Sequence, residues 1–429
     1  MKSKIIEKVI AVKRRINITP ELREFIFTNI NYRRKVYNDF VEESRKYEKL
    51  KDFDPLKYKV TYFNEVEKPN NVYDEMCVDV SKQVSRDIMF AKRSMKGNDR
   101  LYKSKLRFKK FDPFYGAFKV PGRVTYLKSK RLNSRVYIRD TNLIEFRVRA
   151  GEFLFIQLHE SLFNDATFRN HNYPYYIDEK NQYMFRNDCV KEIAFVHELG
   201  KFYIVLFMEV YYYRSKDEIP KEKCGIDLGI KNPVTLYDGN DVKIFRMSNR
   251  QLKRIAYLER RAKRLQQIMD RKLRVNNYYH DTGISKNYRK VQRKFRVTHK
   301  KIYNIRLEWR RKLALHIARN YHKVCIDTFE TPTIDSLRKK GIPKKAIHRI
   351  NYMARLHGVY DLYTLILHDV SKYNGKIYDS PKNSTRTCSV CGHLNDKLPL
   401  SKRILHCTKC GSEIDRDANA AMNCYDFIS

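Results

Sequence analysis

Four cysteines carry the clearest chemical signal in the chain. Cys388 and Cys391 form one Cys-x-x-Cys pair, Cys407 and Cys410 form another, and 15 residues separate the two. Each pair is followed by a glycine, Gly392 and Gly411, which permits the tight turn that such a knuckle needs. The spacing suits four thiolates around one tetrahedral Zn2+. A site with all four positions filled by protein is closed to substrate, so this zinc folds a module and does not catalyse. The other five cysteines, Cys77, Cys189, Cys224, Cys325 and Cys424, lack the spacing and read as buried apolar residues.

Three acidic positions form a second group. Asp227 interrupts the apolar run of "GIDLGIKNPVTLYDG", where a charge is expensive unless a cation or hydrogen-bond donors meet it. Gly229, two residues on, would let a metal or a phosphate approach the backbone. In "VCIDTFETPT" a hydrophobic strand runs into Asp327, with Glu330 three residues later. In "EIDRDANAAMN" Asp417 opens a helix whose small residues, Ala418, Ala420 and Ala421, permit close packing on a sheet. Each has an ordinary explanation taken singly: backbone donors can satisfy a buried Asp, and Asp417 can cap its helix. Together, Asp227, then Asp327 or Glu330, then Asp417 make the carboxylate set of a two-metal nuclease. Such a site holds two Mg2+ ions about 3.5–4 Å apart, one activating water and one stabilising the leaving oxygen.

The elements that must position these groups follow from periodicity. Residues 4–14 read as a strand, and Thr19-Pro20-Glu21 opens a helix reaching about Lys51. A second helix runs from Val72 to about Lys96. From Leu106 to Arg214, short runs rich in Val, Ile, Tyr and Phe alternate with turn residues, including a tight Glu-Leu-Gly-Lys hairpin at 198–201. This predicts a β-barrel or sandwich, with the N-terminal strand completing it and the helices inserted. Residues 221–247 read as three strands. Two long basic helices follow, with apolar stripes through Leu252, Ile255, Leu258, Ala262, Leu265 and Met269 and through Phe295, Ile302, Ile305, Trp309, Leu313 and Ile317. A further strand precedes Asp327, and one helix is predicted from about Ala346 to Tyr373.

Charge points to the partner. Lys and Arg number 89 against 49 Asp and Glu, a net +40 over 429 residues. Such an excess is costly in a compact fold unless a polyanion neutralises it, and nucleic acid does so through phosphate contacts and counterion release. The 31 Tyr and 23 Phe interleaved with the charge supply stacking platforms as well as core. The basic faces of the helical hairpin, with Arg306 and Arg310, are expected to meet phosphate. "LRFKKFDP", with Arg107, Lys109 and Lys110, suits either a nucleic-acid contact or an ordinary amphipathic strand. No signal peptide is recognisable and the apolar runs are strand-sized. A cytoplasmic protein is expected, on the nucleoid when bound to DNA, with no membrane partner. The length suggests about three domains.

"GIDLGIKNPVTL", "CIDTFETPTI" and "TRTCSVCG…CTKCG" running into "DRDANAAMN", in that order, resemble the TnpB family. These are transposon-encoded RNA-guided DNA endonucleases, relatives of the miniature type V CRISPR effectors. The resemblance is specific over residues 221–429 and mostly architectural over 1–220. It implies a multidomain α+β protein: an N-terminal β-barrel (wedge) with an inserted helical lobe, and a C-terminal RNase H-like (RuvC) α/β domain with an inserted zinc ribbon. On that plan residues 1–15 and 106–220 build the barrel and 16–105 the helical recognition lobe. Residues 221–387 form the nuclease domain with its basic hairpin at 250–320, 388–411 the zinc ribbon, and 412–429 the final helix. The partners implied are a guide RNA and a target DNA, the DNA being cut beside a short flanking motif. Asp227 matches the first catalytic carboxylate and Asp417 the third, while Arg416 and Asn419 match the motif around the third. The chain departs from the family at the second carboxylate. Asp327 stands where the family has glutamate, one methylene or about 1.5 Å short. Glu330 would curl back to serve if Thr331-Pro332 ends the strand. Asp327 is the expected ligand. The alternative is a weakened or inactive site in an RNA-guided DNA-binding transcriptional repressor.

Overall fold

The computed structural model describes residues 4–428 apart from 48–49, 66–73, 96–105, 126–131, 150, 163–174, 178–182, 186–189, 215–220, 280–283, 328–342, 374, 397 and 399–401. The fold is mixed α/β and divides into two compact units, Met1–Ser215 and Lys216–Ser429. Glu330, Cys189 and the turn of the basic hairpin at 280–283 lie outside the described residues.

In the first unit, strands β1 (Lys4–Arg15), β2 (Tyr115–Pro121), β10 (Val190–Glu198) and β11 (Lys201–Arg214) form an antiparallel sheet in the order β1-β11-β10-β2. The β10–β11 hairpin turns at Leu199 and Gly200, whose φ angles are 54° and 81°, as the Glu-Leu-Gly-Lys signal predicted. A meander of β5 (Val136–Asp140), β6 (Leu143–Arg149) and β7 (Glu152–Gln157) makes a second sheet. Backbone bonds link the two sheets at one side through Gly122 N to Lys191 O and Arg135 N to Gly122 O, both 2.8 Å. They link them again through Asn17 N to Gln157 O, 2.8 Å, and His159 N to Arg15 O, 2.9 Å. Two short hairpins, β3 (Arg123–Thr125) with β4 (Leu132–Ser134) and β8 (Tyr175–Ile177) with β9 (Tyr183–Phe185), complete the strands.

Three helices, α1 (Pro20–Ser44), α2 (Pro55–Glu65) and α3 (Asp74–Met95), lie between β1 and β2 in the chain. Thr19 caps α1 by accepting from Leu22 N at 3.2 Å. The helix stops before the expected Lys51: the N–H of Arg45 bonds back three residues to Glu42 O, 3.0 Å, a tightened last turn. Sequence reading missed α2, although Asp54-Pro55 announces it. Asp54 Oδ1 accepts from Leu56 N at 2.8 Å, and proline fits the first turn. Phe25 of α1 packs edge-on against Phe118 and Phe195, both at 5.8 Å between centroids, with Phe146 at 5.9 Å. Between α3 and β5, the buried Arg135 pairs with Asp79 at 2.6 Å.

The second unit is built on a five-stranded sheet of β12 (Lys221–Asp227), β13 (Val234–Tyr237), β14 (Val242–Phe245), β15 (Tyr321–Ile326) and β16 (Lys376–Asp379), in the order β14-β13-β12-β15-β16. The first three strands run antiparallel, while β12–β15 and β15–β16 are parallel. The basic hairpin is α4 (Asn249–Tyr279) and α5 (Lys286–Asn320). Its predicted stripes face inward: Ile255, Leu258, Ile302, Trp309, Leu313 and Ile317 join the sheet in one core.

The single helix expected from Ala346 to Tyr373 is two, α6 (Lys344–His357) and α7 (Val359–Lys372). Gly358 separates them in a left-handed conformation, φ 58°, a usual glycine stop. The short strands β17 (Ile404–His406) and β18 (Glu413–Asp415), near the second cysteine pair, lead into the last helix, α8 (Arg416–Asp426). Among the described residues no helix is long and apolar enough to cross a membrane.

Candidate active site and metal centre

The parallel pairing of β12 with β15 carries Asp227 and Asp327 to the same end of adjacent central strands, and Asp327 N donates to Ile226 O at 3.0 Å. Helix α8 delivers Asp417. Its approach depends on glycine: a Cβ on Gly225 would lie 2.1 Å from Ala421 O and 2.4 Å from Tyr425 N. The alanines singled out in the sequence thus serve close helix–sheet packing. Asp417 does not cap its helix. Asp415 does, accepting from Asp417 N at 2.9 Å and Ala418 N at 3.2 Å, which leaves the Asp417 carboxylate for the site.

The three acids share one electrostatic environment. Burial pushes the Asp227 carboxyl well above the usual range, and the negative charges of Asp417 and Asp327 push it further, against the opposing pull of Arg416 and Arg403. An acid so placed is one that a divalent cation would relieve. Asp417 is 5% exposed. Its Oδ2 accepts from Asn232 Nδ2 at 2.9 Å and ion-pairs with Arg403. Asp327 accepts from Ser380 Oγ at 2.7 Å and from Ser384 Oγ at 3.2 Å. The three carboxylates, at the ends of two strands and the start of a helix, offer the donor type Mg2+ takes, but among the described residues only the cysteine quartet brings its ligand atoms within 4.8 Å of one another.

The sequence reading did not find Asn232, Ser380, Ser384 or Arg403. Asn232 sits in the quoted "GIKNP", so its signal was present; the two serines and Arg403 lie in loops with no distinguishing pattern. A pair of asparagines on α8 organises these loops. Asn419 Nδ2 donates to Thr387 O at 2.7 Å and Asn423 Nδ2 to Ser384 O at 2.6 Å, while Asn419 Oδ1 accepts from Ser389 N at 2.8 Å.

The four cysteines converge as the spacing predicted: all four Sγ atoms lie within 4.8 Å of one another. Cys388 and Cys410 are 3.8 Å apart, Cys391 and Cys407 3.6 Å. A tetrahedral zinc bound at about 2.3 Å sets its sulfurs about 3.8 Å apart, so the quartet fits a structural metal such as zinc. Gly392 and Gly411 take φ of 70° and 72°. Their N–H groups close the knuckles onto Cys388 O and Cys407 O at 2.9 Å. Backbone donors, Cys410 N–H foremost, lower the Cys407 thiol, while Cys391 beside it is raised, so without a cation the crowded sulfurs do not all ionise together.

The expected nucleic-acid contacts divide. Arg107, Lys109 and Lys110 are all exposed as whole residues, but the Lys109 ammonium is engaged by the protein: it lies 3.7 Å from the Tyr37 centroid, and the desolvation of that end, with Arg33 nearby, lowers it to about 8. Its backbone N–H donates to Asn38 Oδ1 at 2.7 Å, which holds the segment along α1 and not in a sheet. Arg306 pairs with Glu259 at 2.8 Å, and Arg310 is 3% exposed. Arg416 faces the carboxylates.

Two family models match the chain. One described as "Probable transposase" covers residues 204–332, and "Cas12f1-like, TNB domain" covers 360–424. A TnpB-like protein of Acanthamoeba polyphaga mimivirus is 28% identical over 218 residues, 48% of this chain and 38% of the relative. A Streptomyces pristinaespiralis protein named "Putative RNA-guided DNA endonuclease" is 28% identical over 201 residues, 46% of this chain and 43% of that one. The matches thus span less than half the length of either relative. A solved Cas12f1–sgRNA–target DNA complex aligns with 98% of this chain and 99% of the Cas12f1 chain, at 14% identity and a TM-score of 0.44. Transposase and TNB-domain matches in that order, with TnpB-like relatives, support a place for the chain in the TnpB family.

Proposed function

We propose that the chain is an RNA-guided DNA endonuclease. What supports this reading is that Asp227, Asp327 and Asp417, far apart in sequence, are carried by elements packed on one another, the paired ends of β12 and β15 and the closely approaching helix α8, and that the charges of the other two acids oppose ionisation of the buried Asp227. The sheet order, three antiparallel strands followed by two parallel ones, supports an RNase H-like, RuvC-type nuclease domain. Asp227, Asp327 and Asp417 would hold two Mg2+ ions, which when bound supply a polarised water and stabilise the leaving oxygen of a phosphodiester. Ser380 and Ser384 orient Asp327. Asn232 and Arg403 hold Asp417, and Arg416 offsets negative charge at Asp227. Residues 1–15 and 106–220 would form a wedge barrel and 16–105 a recognition lobe. The net charge of +40 suits a guide RNA and its heteroduplex, with base pairing supplying most of the sequence choice. The Streptomyces relative's name supports the same reading.

The test is cleavage of target DNA by the full chain with its co-purified, sequenced RNA, with and without Mg2+. Wild type should cut only with the metal, and Asp227→Ala and Asp417→Ala should bind without cutting. Unchanged cleavage by Asp227→Ala would end the nuclease reading. The ion pair of Asp417 with Arg403 and the two hydroxyls on Asp327 favour a second reading, a repressor that binds and does not cut. Binding without cutting by wild type, with cutting restored by Asp327→Glu, would select it.

A further inference from the structure

Residues of α5, α6 and the start of α7, none of them one of the three acids, line an open cavity of about 960 Å3. Its wall is basic: Arg306, Arg310, Lys344 and Arg355 line it against one acid, Asp361. Arg310 is 3% exposed, an expensive place for a permanent cation. Its partners do little to offset that. Arg310 Nη1 reaches His357 O and Nη2 reaches Asp361 Oδ2, each at a long 3.4 Å, against the ~2.9 Å of a good bond. The Nε atoms of Arg310 and of Arg306, one turn earlier on α5, are buried without a hydrogen-bond partner. Gly358 makes room for this guanidinium, since a Cβ there would lie 2.1 Å from Arg310 Nη1. The mouth is aromatic, with Tyr303 48% and Tyr360 68% exposed.

We propose that this cavity is a binding site for a single-stranded polynucleotide, seating a backbone phosphate on Arg306 and Arg310 with Lys344 and Arg355, and a base against Tyr303 or Tyr360. The buried Arg310 guanidinium, with idle donors, suits an anion with several acceptor oxygens, which phosphate is; Arg306 beside it adds positive charge and an unpartnered Nε while its Nη2 pairs with Glu259 at 2.8 Å. Exposed aromatic faces beside them suit a base. Asp361, with a side chain 65% exposed, stands in for the phosphate at the mouth and swings out when one binds. The inference deepens the nucleic-acid reading above and rests on it.

The test uses the full chain, freed of RNA, in EDTA. Fluorescein-labelled 20-nucleotide single strands of RNA and of DNA, identical in sequence, are titrated by anisotropy at several salt concentrations. Lys344→Ala/Arg355→Ala changes only exposed side chains. It should weaken binding about tenfold at 150 mM salt and flatten the log–log salt dependence by about 1.4, two contacts at about 0.7 each. Asp361→Asn should tighten binding severalfold, a change of sign that a structural defect would not produce. Oligonucleotides carrying 5-iodouracil should cross-link to the peptides bearing Tyr303 or Tyr360. An effect confined to RNA assigns the site to the guide; one confined to DNA assigns it to a target strand. Unchanged affinity in both variants, or cross-links mapping only elsewhere, overturns the proposal. Because the readout is binding without metal, that result is separate from loss of the nuclease reading, which Asp227→Ala tests by cleavage.

Discussion

Gly225→Ala is the sharpest probe of how the site is assembled. The new methyl would sit 2.1 Å from Ala421 O and 2.4 Å from Tyr425 N. Both are backbone atoms of α8, so no side-chain rotation relieves the clash. Restoring ordinary contact at about 3.4 Å requires α8 to retreat from β12 by about 1.3 Å. Overpacking of this kind costs about 1–3 kcal/mol. At about 2–4 °C per kcal/mol for a unit of this size, a cost near 2 kcal/mol lowers its melting temperature by about 4–8 °C. The same retreat carries Asp417 away from Asp227, and misplacement by about 1 Å can cost about a hundredfold in rate. Calorimetry and a single-turnover cleavage assay at saturating Mg2+, below the variant's melting temperature, read the two effects. A variant that melts within a degree of wild type and cuts at the wild-type rate would refute the claim that this glycine sets the distance between the acids.

Four further outcomes follow from the geometry. Asp327→Ala should abolish cleavage while Glu330→Ala leaves it intact; the reverse pattern in the same assay moves the second carboxylate to Glu330. His357, 4% exposed, is lowered from 6.5 to about 4 chiefly by burial. The unfolded chain therefore takes up a proton before the native one does, so stability present above pH 6.5 is lost as the pH falls toward 4, by at most about 3 kcal/mol. Urea titrations across that window should show the loss, and His357→Gln should flatten it. Asp79→Ala removes the carboxylate that pairs with the buried Arg135 at 2.6 Å and should destabilise the first unit, by about 1–3 kcal/mol in denaturant melts. Removing zinc with a strong chelator, or Cys391→Ser, should expose 388–411 to protease and abolish cleavage while β12 and β15 keep their amide-exchange protection.

The second unit was legible because its signals are local. Cys-x-x-Cys-Gly encodes a knuckle within five residues, and Asp227 and Asp417 each sit in a run whose apolar or small neighbours declare a strand or a close-packed helix. Loop groups carried no such signature. Ser384 reaches Asp327 only because Asn423 and Asn419 hold its loop, a relation across 35 or more residues that periodicity does not register. Asp415, two residues before Asp417, took the capping role that one sequence reading gave to Asp417. Gly358 was read through because the apolar stripe continues on both sides of it, so a break in a single residue's φ was hidden under an unbroken pattern. Lys109 shows the limit of charge counting: an alternation of bases and aromatics is equally a way for a chain to bind itself.

The asparagine pair on α8 also bears on how far the cysteine-bearing insert can vary. Its entry is fastened to the helix at Ser384 and Thr387, and the stretch between its two knuckles by the bond of Arg416 N to Arg403 O at 2.7 Å. That stretch also carries the Arg403 guanidinium that pairs with Asp417, so its backbone is fastened to the helix and its side chain to the acid. Exchanging it wholesale therefore removes a cation from the carboxylates, whereas changes that keep Arg403 in place leave that contact standing.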